Sequence, residues 1–115
     1  MRDFKKYKVW EQGHAITLDV YKKTQSFPKA EEFALKSQLR RAAYSIPSNI
    51  AEGCGRESDA AFKRFLIISQ GSASELEYFL ILAKDLAYID ASTYQKMDNE
   101  VNKTKRSINN LVQKI

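Results

Sequence analysis

The sequence predicts an all-α protein, an antiparallel up-down four-helix bundle in which residues 1–115 form a single domain. Three observations lead to this fold class. The chain has 115 residues, which is enough for one modest core and too few for several domains. It has only 4 glycines and 2 prolines, whereas a many-stranded sandwich or barrel needs many turns. Four segments repeat apolar residues at helical spacing, and short connections join them.

The first helix is predicted over residues 9–25, where apolar residues recur three and four positions apart. Pro28 separates it from the next segment, because the residue before a proline avoids helical backbone angles. A second helix is expected to begin at Glu31 and Glu32, since carboxylates are favourable in the first turn of a helix.

The second helix has an apolar face that continues past Pro47 and ends at Gly53 and Gly55. Proline lacks the amide that would donate to the carbonyl of Ala43, so the helix is expected to be kinked at Pro47. The polar side chains of SIPSNIAEG, residues 45–53, have two interpretations. They satisfy the freed backbone groups, which is the stronger interpretation, or they present polar atoms to a ligand.

The third helix is predicted to be the longest, because Ser58 and Asp59 can cap its start and no proline follows before Asp90. A length of about 30 residues corresponds to about 45 Å. Its main apolar stripe comprises Phe62, Leu66, Ser69, Ala73, Leu76, Leu80, Ala83 and Ala87. A second stripe beside it comprises Phe65, Ile68, Ser72, Phe79, Leu82 and Leu86.

The second stripe of the third helix has two explanations. Either this helix lies centrally against the three other helices, or the stripe is covered by another copy of the chain. For the second explanation we expect a subunit interface formed by Phe65, Ile68, Phe79 and Leu82.

A fourth helix can be capped by Asp90, Ser92 or Thr93. Its apolar residues repeat at heptad spacing, and its remaining positions are polar. The repeat comprises Tyr94, Met97, Val101, Thr104, Ile108, Leu111 and Ile115. These features predict a helix that turns one narrow face to the core.

The charge of the chain permits nucleic-acid binding without requiring it. Lysine and arginine number 19 and acidic residues 14, a formal net charge of +5. The excess is +4 up to Glu57 and +1 beyond it. The single cysteine, Cys54, cannot form an intramolecular disulfide, which favours a reducing compartment. We therefore expect a cytoplasmic protein, and the absence of an apolar leader argues against export or membrane insertion.

Residue types needed for catalysis are scarce, so we predict no enzymatic activity, no cofactor and no metal site. His14 is the only histidine, which excludes an imidazole metal cluster and leaves Cys54 without a second histidine to activate it. Glu75 and Glu77 lie two positions apart on a helix and point in different directions, so a carboxylate site would need further acidic residues. Residues 53–56, GCGR, lack the lysine and hydroxyl residue of a phosphate-binding loop.

Three segments together resemble one protein family. They are FKKYKVWEQGHAITLDVYK at 4–22, RRAAYSIPSNIAEGCGRES at 40–58, and FKRFLIISQGSASELEYFLILAKDLAYI at 62–89. They are similar to the 23S rRNA intervening-sequence proteins, also called the four-helix-bundle protein family. Members are often encoded inside insertions in bacterial 23S rRNA genes, and the molecular function of most is not settled.

The resemblance implies an assembly and a role. Relatives include the accessory variability proteins of diversity-generating retroelements, which are basic, ring-shaped homopentamers that bind nucleic acid and a reverse transcriptase. By this resemblance we expect a homopentameric four-helix bundle with a nucleic-acid role. The chain departs from the family pattern at Ser69-Gln70, where an alanine-arginine pair is expected, and this removes one positive charge.

Five basic residues are the candidates for phosphate contacts: Arg40, Arg41, Arg56, Lys63 and Arg64. Lysine and arginine that neutralise phosphates give a salt-dependent affinity with little sequence information. If the second and third helices are antiparallel, the last three residues share one end of the bundle, and the first two lie two turns or more away. The alternative is a solvated face with salt bridges to nearby acidic residues.

A second basic candidate is the start of the chain, where Phe4 and Tyr7 alternate with Arg2 and lysines. Such a segment can contact RNA through charge and stacking. The stronger interpretation is that the two rings dock on the bundle or on a neighbouring subunit while the lysines stay in water.

Two functions are consistent with these observations. The first is a homo-oligomer, expected to be a pentamer, that binds RNA or DNA non-specifically. The second is a protein-interaction scaffold that docks a partner enzyme such as a reverse transcriptase, as the resemblance implies.

Overall fold

The computed structural model describes residues 2–115 and confirms the all-α class. Four α-helices account for the regular structure together with two short 3₁₀ turns, and the described residues form no strand. The helices are α1 (Lys8–Lys23), α2 (Leu35–Cys54), α3 (Asp59–Asp85) and α4 (Ala91–Gln113), and the 3₁₀ turns are Phe4–Lys6 and Lys29–Glu31. No helix among residues 2–115 has the length and apolarity needed to cross a bilayer.

Each helix packs against its neighbours in the chain, and α1 also packs against α4. Within residues 2–115, α1 and α3 do not approach each other closely, and neither do α2 and α4, so these pairs are diagonal. Contacts between α2 and α3 run in opposite directions, because Gly53 lies against Phe62 while the Ile46 carbonyl accepts from Ser69 Oγ at 2.9 Å. The molecule measures 43 × 24 × 19 Å.

All four helices contribute to one core of buried apolar side chains. The main stripe of α3 is buried as predicted from Phe62 to Ala83. Ala87 is the exception, because α3 ends at Asp85 and Ala87 takes a left-handed φ of 63°. The amide of Tyr88 then donates to the carbonyl of Ala83 at 2.9 Å, which closes the helix end.

Helix α2 begins at Leu35, so the prediction of a start at Glu31 and Glu32 is wrong. The chain first forms the 3₁₀ turn Lys29–Glu31, and Ala34 then leaves helical angles. The Glu31 carboxylate accepts from the Leu35 amide at 3.2 Å and from the Tyr88 hydroxyl at 2.8 Å. Glu31 therefore acts as a cap from outside the helix instead of as part of its first turn.

Pro47 lies inside α2, and the carbonyl that it leaves without a helical donor has a partner on α1. Thr17 Oγ1 lies 3.1 Å from the Ala43 oxygen and 2.8 Å from that of Gly13. A hydroxyl has one proton to donate, so it is shared between these acceptors. We expected a side chain to satisfy the freed backbone group, but the donor is Thr17 and not a residue of SIPSNIAEG.

The kink at Pro47 and the up-down order of the helices stay predictions.

Each of the last two helices is capped by one of the residues predicted for that role. Ser58 Oγ accepts from the Ala61 amide at 3.1 Å, and an Asp90 carboxylate oxygen accepts from the Thr93 amide at 2.7 Å. The bond to Thr93 holds the pKa of Asp90 below its usual value. The heptad face of α4 is buried in its middle, at Met97, Val101, Thr104 and Ile108.

Candidate nucleic-acid interface

A level near the middle of the long axis divides the bundle into two halves. There Gly13 lies so close to α2 that a Cβ atom on it would be 2.9 Å from Ile46 Cγ2. The Ile46 carbonyl accepts from Ser69 at the same level, and Gln70 Nε2 donates to the Lys105 carbonyl at 3.0 Å. The four helices therefore meet one level near residues 13, 46, 70 and 105.

The two halves differ in charge. The basic half, residues 2–14, 46–70 and 105–115, contains ten basic and five acidic residues, an excess of five. The neutral half, residues 15–45 and 71–104, contains nine of each. The whole formal charge of the chain therefore lies at the end where the amino terminus, the α2–α3 connection and the end of α4 meet.

Ion pairs hold some cations of the basic half in place. Arg2 pairs with Asp59, and its guanidinium lies 4.1 Å from the centre of the Phe62 ring. Arg56 pairs with Glu52 at 2.8 Å and lies 5.0 Å from the centre of the Phe65 ring. These contacts order the two arginines near the α2–α3 connection.

Other cations of this half have no ion-pair partner within residues 2–115. They are Lys6, Lys8, Lys63, Arg64, Arg106 and Lys114. Arg64 is exposed and Lys63 is half-buried, one turn into α3. Cations without a carboxylate partner are the ones that can neutralise phosphates without first breaking a contact.

Arg40 and Arg41 lie in the neutral half, away from the other three predicted residues. Arg40 donates to Thr24 Oγ1 at 2.9 Å and to the Tyr21 carbonyl at 3.2 Å, so it closes the end of α1. Arg41 turns to α3 and pairs with Glu75 at 2.8 Å. The structure therefore brings together Arg56, Lys63 and Arg64 but places Arg40 and Arg41 elsewhere, each against a different helix.

The aromatic residues at the start of the chain dock on the bundle, as the stronger interpretation expected. The Phe4 ring centre lies 5.1 Å from that of Trp10, and the Tyr7 ring centre lies 5.6 Å from that of Phe62. Both rings are half-buried and belong to the edge of the core. This docking brings Lys6 and Lys8 to the basic half.

The chain departs from the family pattern at Ser69-Gln70, which removes one positive charge, but this position does not lie on an exposed face. Ser69 is fully buried and bonded to the α2 backbone, while Gln70 is half-buried and bonded to the α4 backbone. These two polar residues connect helices at the middle level. Lys6 and Lys8 belong to the second basic candidate, at the start of the chain. Arg106 and Lys114 were not identified from the sequence, although an antiparallel order predicts that both chain ends approach the α2–α3 connection.

The predicted interface residues of α3 fall into two groups. Phe79 and Leu82 are half-buried and pack against the core, and Phe65 is half-buried beneath Arg56. Ile68 is exposed. The second stripe is therefore shared between the core and the surface.

A different line of residues faces outward on α3. We call it the outer stripe, and it comprises Ile67, Gly71, Ser74, Tyr78 and Ile81, all of them exposed. Their spacing alternates between four and three, as in the contact face of a coiled coil. A Cβ atom on Gly71 would meet nothing within 4 Å, so the middle of the stripe leaves room for another helix.

The side chains considered for catalysis lie apart from one another. Cys54 is buried, and burial raises the pKa of its thiol. His14 stacks on Trp10 with ring centres 5.1 Å apart. Glu77 pairs with Lys105 at 3.0 Å, whereas Glu75 pairs with α2. Among residues 2–115, no three histidine, cysteine or acidic side chains converge into a possible metal site.

Comparison with known proteins identifies a family and solved structures of similar fold. A family model described as 23S rRNA-intervening sequence protein matches residues 5–110. The fold is similar to the crystal structure of a protein of unknown function from the S23 ribosomal protein family of Bacteroides thetaiotaomicron. The two are 25% identical over 90% of this chain and 97% of that one, with a TM-score of 0.81. No curated protein matches the chain.

Proposed function

The chain belongs to the 23S rRNA-intervening sequence protein family, and from this membership we propose that it binds RNA or DNA through phosphate contacts at its basic half. The observation that carries the proposal is the separation of charge along the bundle, with the whole excess of five at one end. Arg56, Lys63 and Arg64 are the central contacts. Arg40 and Arg41 are assigned a structural role in the neutral half, where they hold α2 to α1 and to α3.

The proposed contacts are made to the sugar-phosphate backbone of the nucleic acid and not to its bases. Helix α3 enters this end with its amino terminus, whose dipole favours an anion, and the cations lie on separate elements around it. Such an arrangement tracks phosphates, so affinity falls steeply with salt and depends little on sequence.

Self-association is the second part of the proposal. The outer stripe of α3 is an exposed apolar face at coiled-coil spacing, and another copy of the chain would cover it. We propose a homopentamer, in which five copies of a +5 chain present a formal charge of about +25 and weak contacts add up by multivalency.

Paired double variants test the nucleic-acid proposal. Lys63→Gln with Arg64→Gln removes two cations of the basic half, and Lys22→Gln with Lys96→Gln removes two exposed, unpaired cations of the neutral half. Binding to duplex DNA and structured RNA is measured by anisotropy at increasing salt. We expect the first pair to lower affinity and reduce the salt slope by about 2 per bound copy, and the second pair to leave both unchanged. Equal losses in both pairs, or no binding at low ionic strength, would contradict the proposal.

Light scattering tests the assembly. Ile81→Glu places a charge on the outer stripe, and Asn99→Glu places the same charge on the polar face of α4. We expect Ile81→Glu to convert the oligomer to a folded 13.2 kDa chain and Asn99→Glu to leave its mass unchanged. A wild-type chain that stays at 13.2 kDa at micromolar concentration would refute self-association.

A scaffold that docks a partner enzyme is the second candidate function. The observation that favours it is the neutral half, which exposes Leu18 and Leu86 without excess charge. Such a surface suits protein contact better than polyanion contact. The scaffold function is supported if the chain captures a defined partner enzyme, the capture survives nuclease treatment, and Leu18→Glu abolishes it. If nuclease treatment alone abolishes the capture, the partner is held through nucleic acid, which favours the first function.

A further inference from the structure

Phe33 is the most exposed large apolar side chain of the described residues, at 93%. It lies in the connection between α1 and α2, which is not loosely held. Glu31 bonds both the start of α2 and the Tyr88 hydroxyl, and the Phe27 ring packs on Tyr88 with centres 5.2 Å apart. An ordered turn thus holds a phenyl ring in water, although transfer of such a ring to an apolar site is favourable.

The neutral half also contains an apolar cavity of about 230 Å³. It lies between α1, α3 and α4, along the α1–α4 contact. Its apolar walls are Ile16 and Val20 of α1, Leu80 of α3, and Met97 and Val101 of α4.

The size and lining of the cavity select one aromatic side chain as its occupant. An apolar cavity of about 150 Å³ holds benzene, whereas sites for drug-sized ligands and cofactors begin near about 300 Å³. A cavity of about 230 Å³ therefore accepts a phenyl ring and is small for a cofactor. Aromatic anchors in apolar pockets are the common centres of protein interfaces.

Charges around the ring and the cavity are complementary. Asp19 and Glu100 are the charged residues of the cavity wall. Asp19 pairs with Lys23, but Glu100 has no ion-pair partner within residues 2–115. Lys29, at the start of the turn that carries Phe33, is exposed and likewise unpaired there. A copy that inserts Phe33 into the cavity of a second copy can bring Lys29 toward Glu100.

We propose that Phe33 of one copy inserts into the α1–α4 cavity of a second copy. The donor ring and the acceptor cavity are different surfaces of the same chain. A one-way contact therefore builds a ring or a filament, and a reciprocal exchange of rings builds a two-fold dimer. The inference rests on the proposed self-association and names a specific contact within it.

The Met97 methyl group reports insertion directly, because it lines the cavity. A phenyl ring in the cavity shifts its ¹³C-methyl NMR signal, and Met1 is the only other methionine. We expect this signal to shift as concentration promotes assembly. Phe33→Ala should abolish the shift and weaken self-association by about tenfold or more. Phe33→Leu should keep most of the association but lose the ring-current shift.

A second variant changes the acceptor. Ala15 lies exposed at the cavity mouth, so Ala15→Trp can fill the entrance without altering the core. We expect it to weaken association as Phe33→Ala does. If both variants assemble like the wild type and the Met97 shift persists, the inserted-ring contact is wrong even though assembly through the outer stripe stands. A different result would overturn the proposal and identify a small-molecule site. In that case an added aromatic amine shifts the Met97 signal, and Phe33→Ala leaves the mass of the oligomer unchanged.

Discussion

The two halves of the bundle differ in how their charges are used. In the basic half, six of the ten cations have no ion-pair partner within residues 2–115. Only two acidic residues of that half, Glu11 and Glu57, lack an ion pair there. In the neutral half, five of the nine cations also lack an ion pair within the described chain, but four acidic residues without one offset them. The neutral half also has a cavity whose walls are mostly apolar, and a protruding Phe33. One end is therefore suited to polyanions and the other to apolar partners.

This division follows from the course of the chain. Split at Glu57, the sequence has excesses of +4 and +1, because each half of the chain runs through both ends of the bundle. Arg2 pairs with Asp59, and Tyr7 and Lys114 line one pocket, so both chain termini and the middle of the sequence meet at one end. The spatial excesses of five and zero therefore become visible only after the helices are placed.

Close packing in the basic half can be broken by one methyl group. A Cβ atom on Gly53 would lie 2.8 Å from Phe65 Cβ, an atom that cannot move without its backbone, so Gly53→Ala is expected to cost about 2 kcal/mol. Gly71→Ala is the control in the neutral half, where the site is open within the single chain, so below the concentration of self-association helix propensity should add about 1 kcal/mol. Urea unfolding measures both. Equal effects would show that the packing difference is absent.

Thr17→Val tests how the boundary between the halves is held. The variant removes the hydroxyl that reaches the buried Ala43 carbonyl, and we expect a loss of about 1.5 kcal/mol in thermal or urea unfolding. In a Pro47→Ala background, the restored amide can donate to the same oxygen, so Thr17→Val should cost only about 0.5 kcal/mol. A cost that is equal in both backgrounds would mean that the hydroxyl does not serve this carbonyl.

The Glu77–Lys105 pair, which joins the halves, gives a pH-dependent test. The hydrogen bond from Lys105 lowers the pKa of Glu77, so the pair stabilises the fold above the ordinary glutamate pKa. That stability is lost as the pH falls through the lowered folded-state pKa. Glu77→Gln should cost about 0.5 to 1 kcal/mol at pH 7 and little at pH 3. Glu57→Gln is the control, since Glu57 has no ion pair within the described chain, and a loss that does not fade in acid would contradict the linkage.

Asp98 should give the smallest effect, of the opposite sign. Burial, and then the charge of Glu77, raises the pKa of Asp98, so its charge disfavours the fold at neutral pH. The penalty disappears as the pH falls below the raised pKa. Asp98→Asn is expected to stabilise the neutral half by about 0.5 kcal/mol at pH 7 and to have no effect in strong acid. Destabilisation at pH 7 would mean that the carboxylate makes a stabilising contact.

The fold was predictable to the extent that it depends on local patterns. The inner stripe of α3 and the caps Ser58 and Asp90 depend on spacing and residue type, and all were identified in advance. The start of α2 was missed because Glu31 bonds to Tyr88, which is distant in sequence. The hydroxyl of Thr17 was missed for the same reason, since only helix packing brings it to α2.

The candidate site was predictable only in part. Arg56, Lys63 and Arg64 flank one connection, so their proximity follows from a single antiparallel pair. Arg40 and Arg41 are adjacent in sequence but point to different helices, which charge counting does not reveal. Phe79 and Leu82 are half-buried against the core, whereas the outer stripe is exposed, and periodicity alone does not say which flank of a long helix its neighbours cover.

The separation of charge along the long axis determines the symmetry that an assembly would need. Copies related by rotation about an axis parallel to the helices would all turn their cations the same way, giving one cationic rim and one uncharged rim. A perpendicular two-fold axis would instead put cations on both outer surfaces. Rotational assembly would thus yield a two-faced particle that lies on a polyanion by one side only and leaves the opposite side open to other molecules.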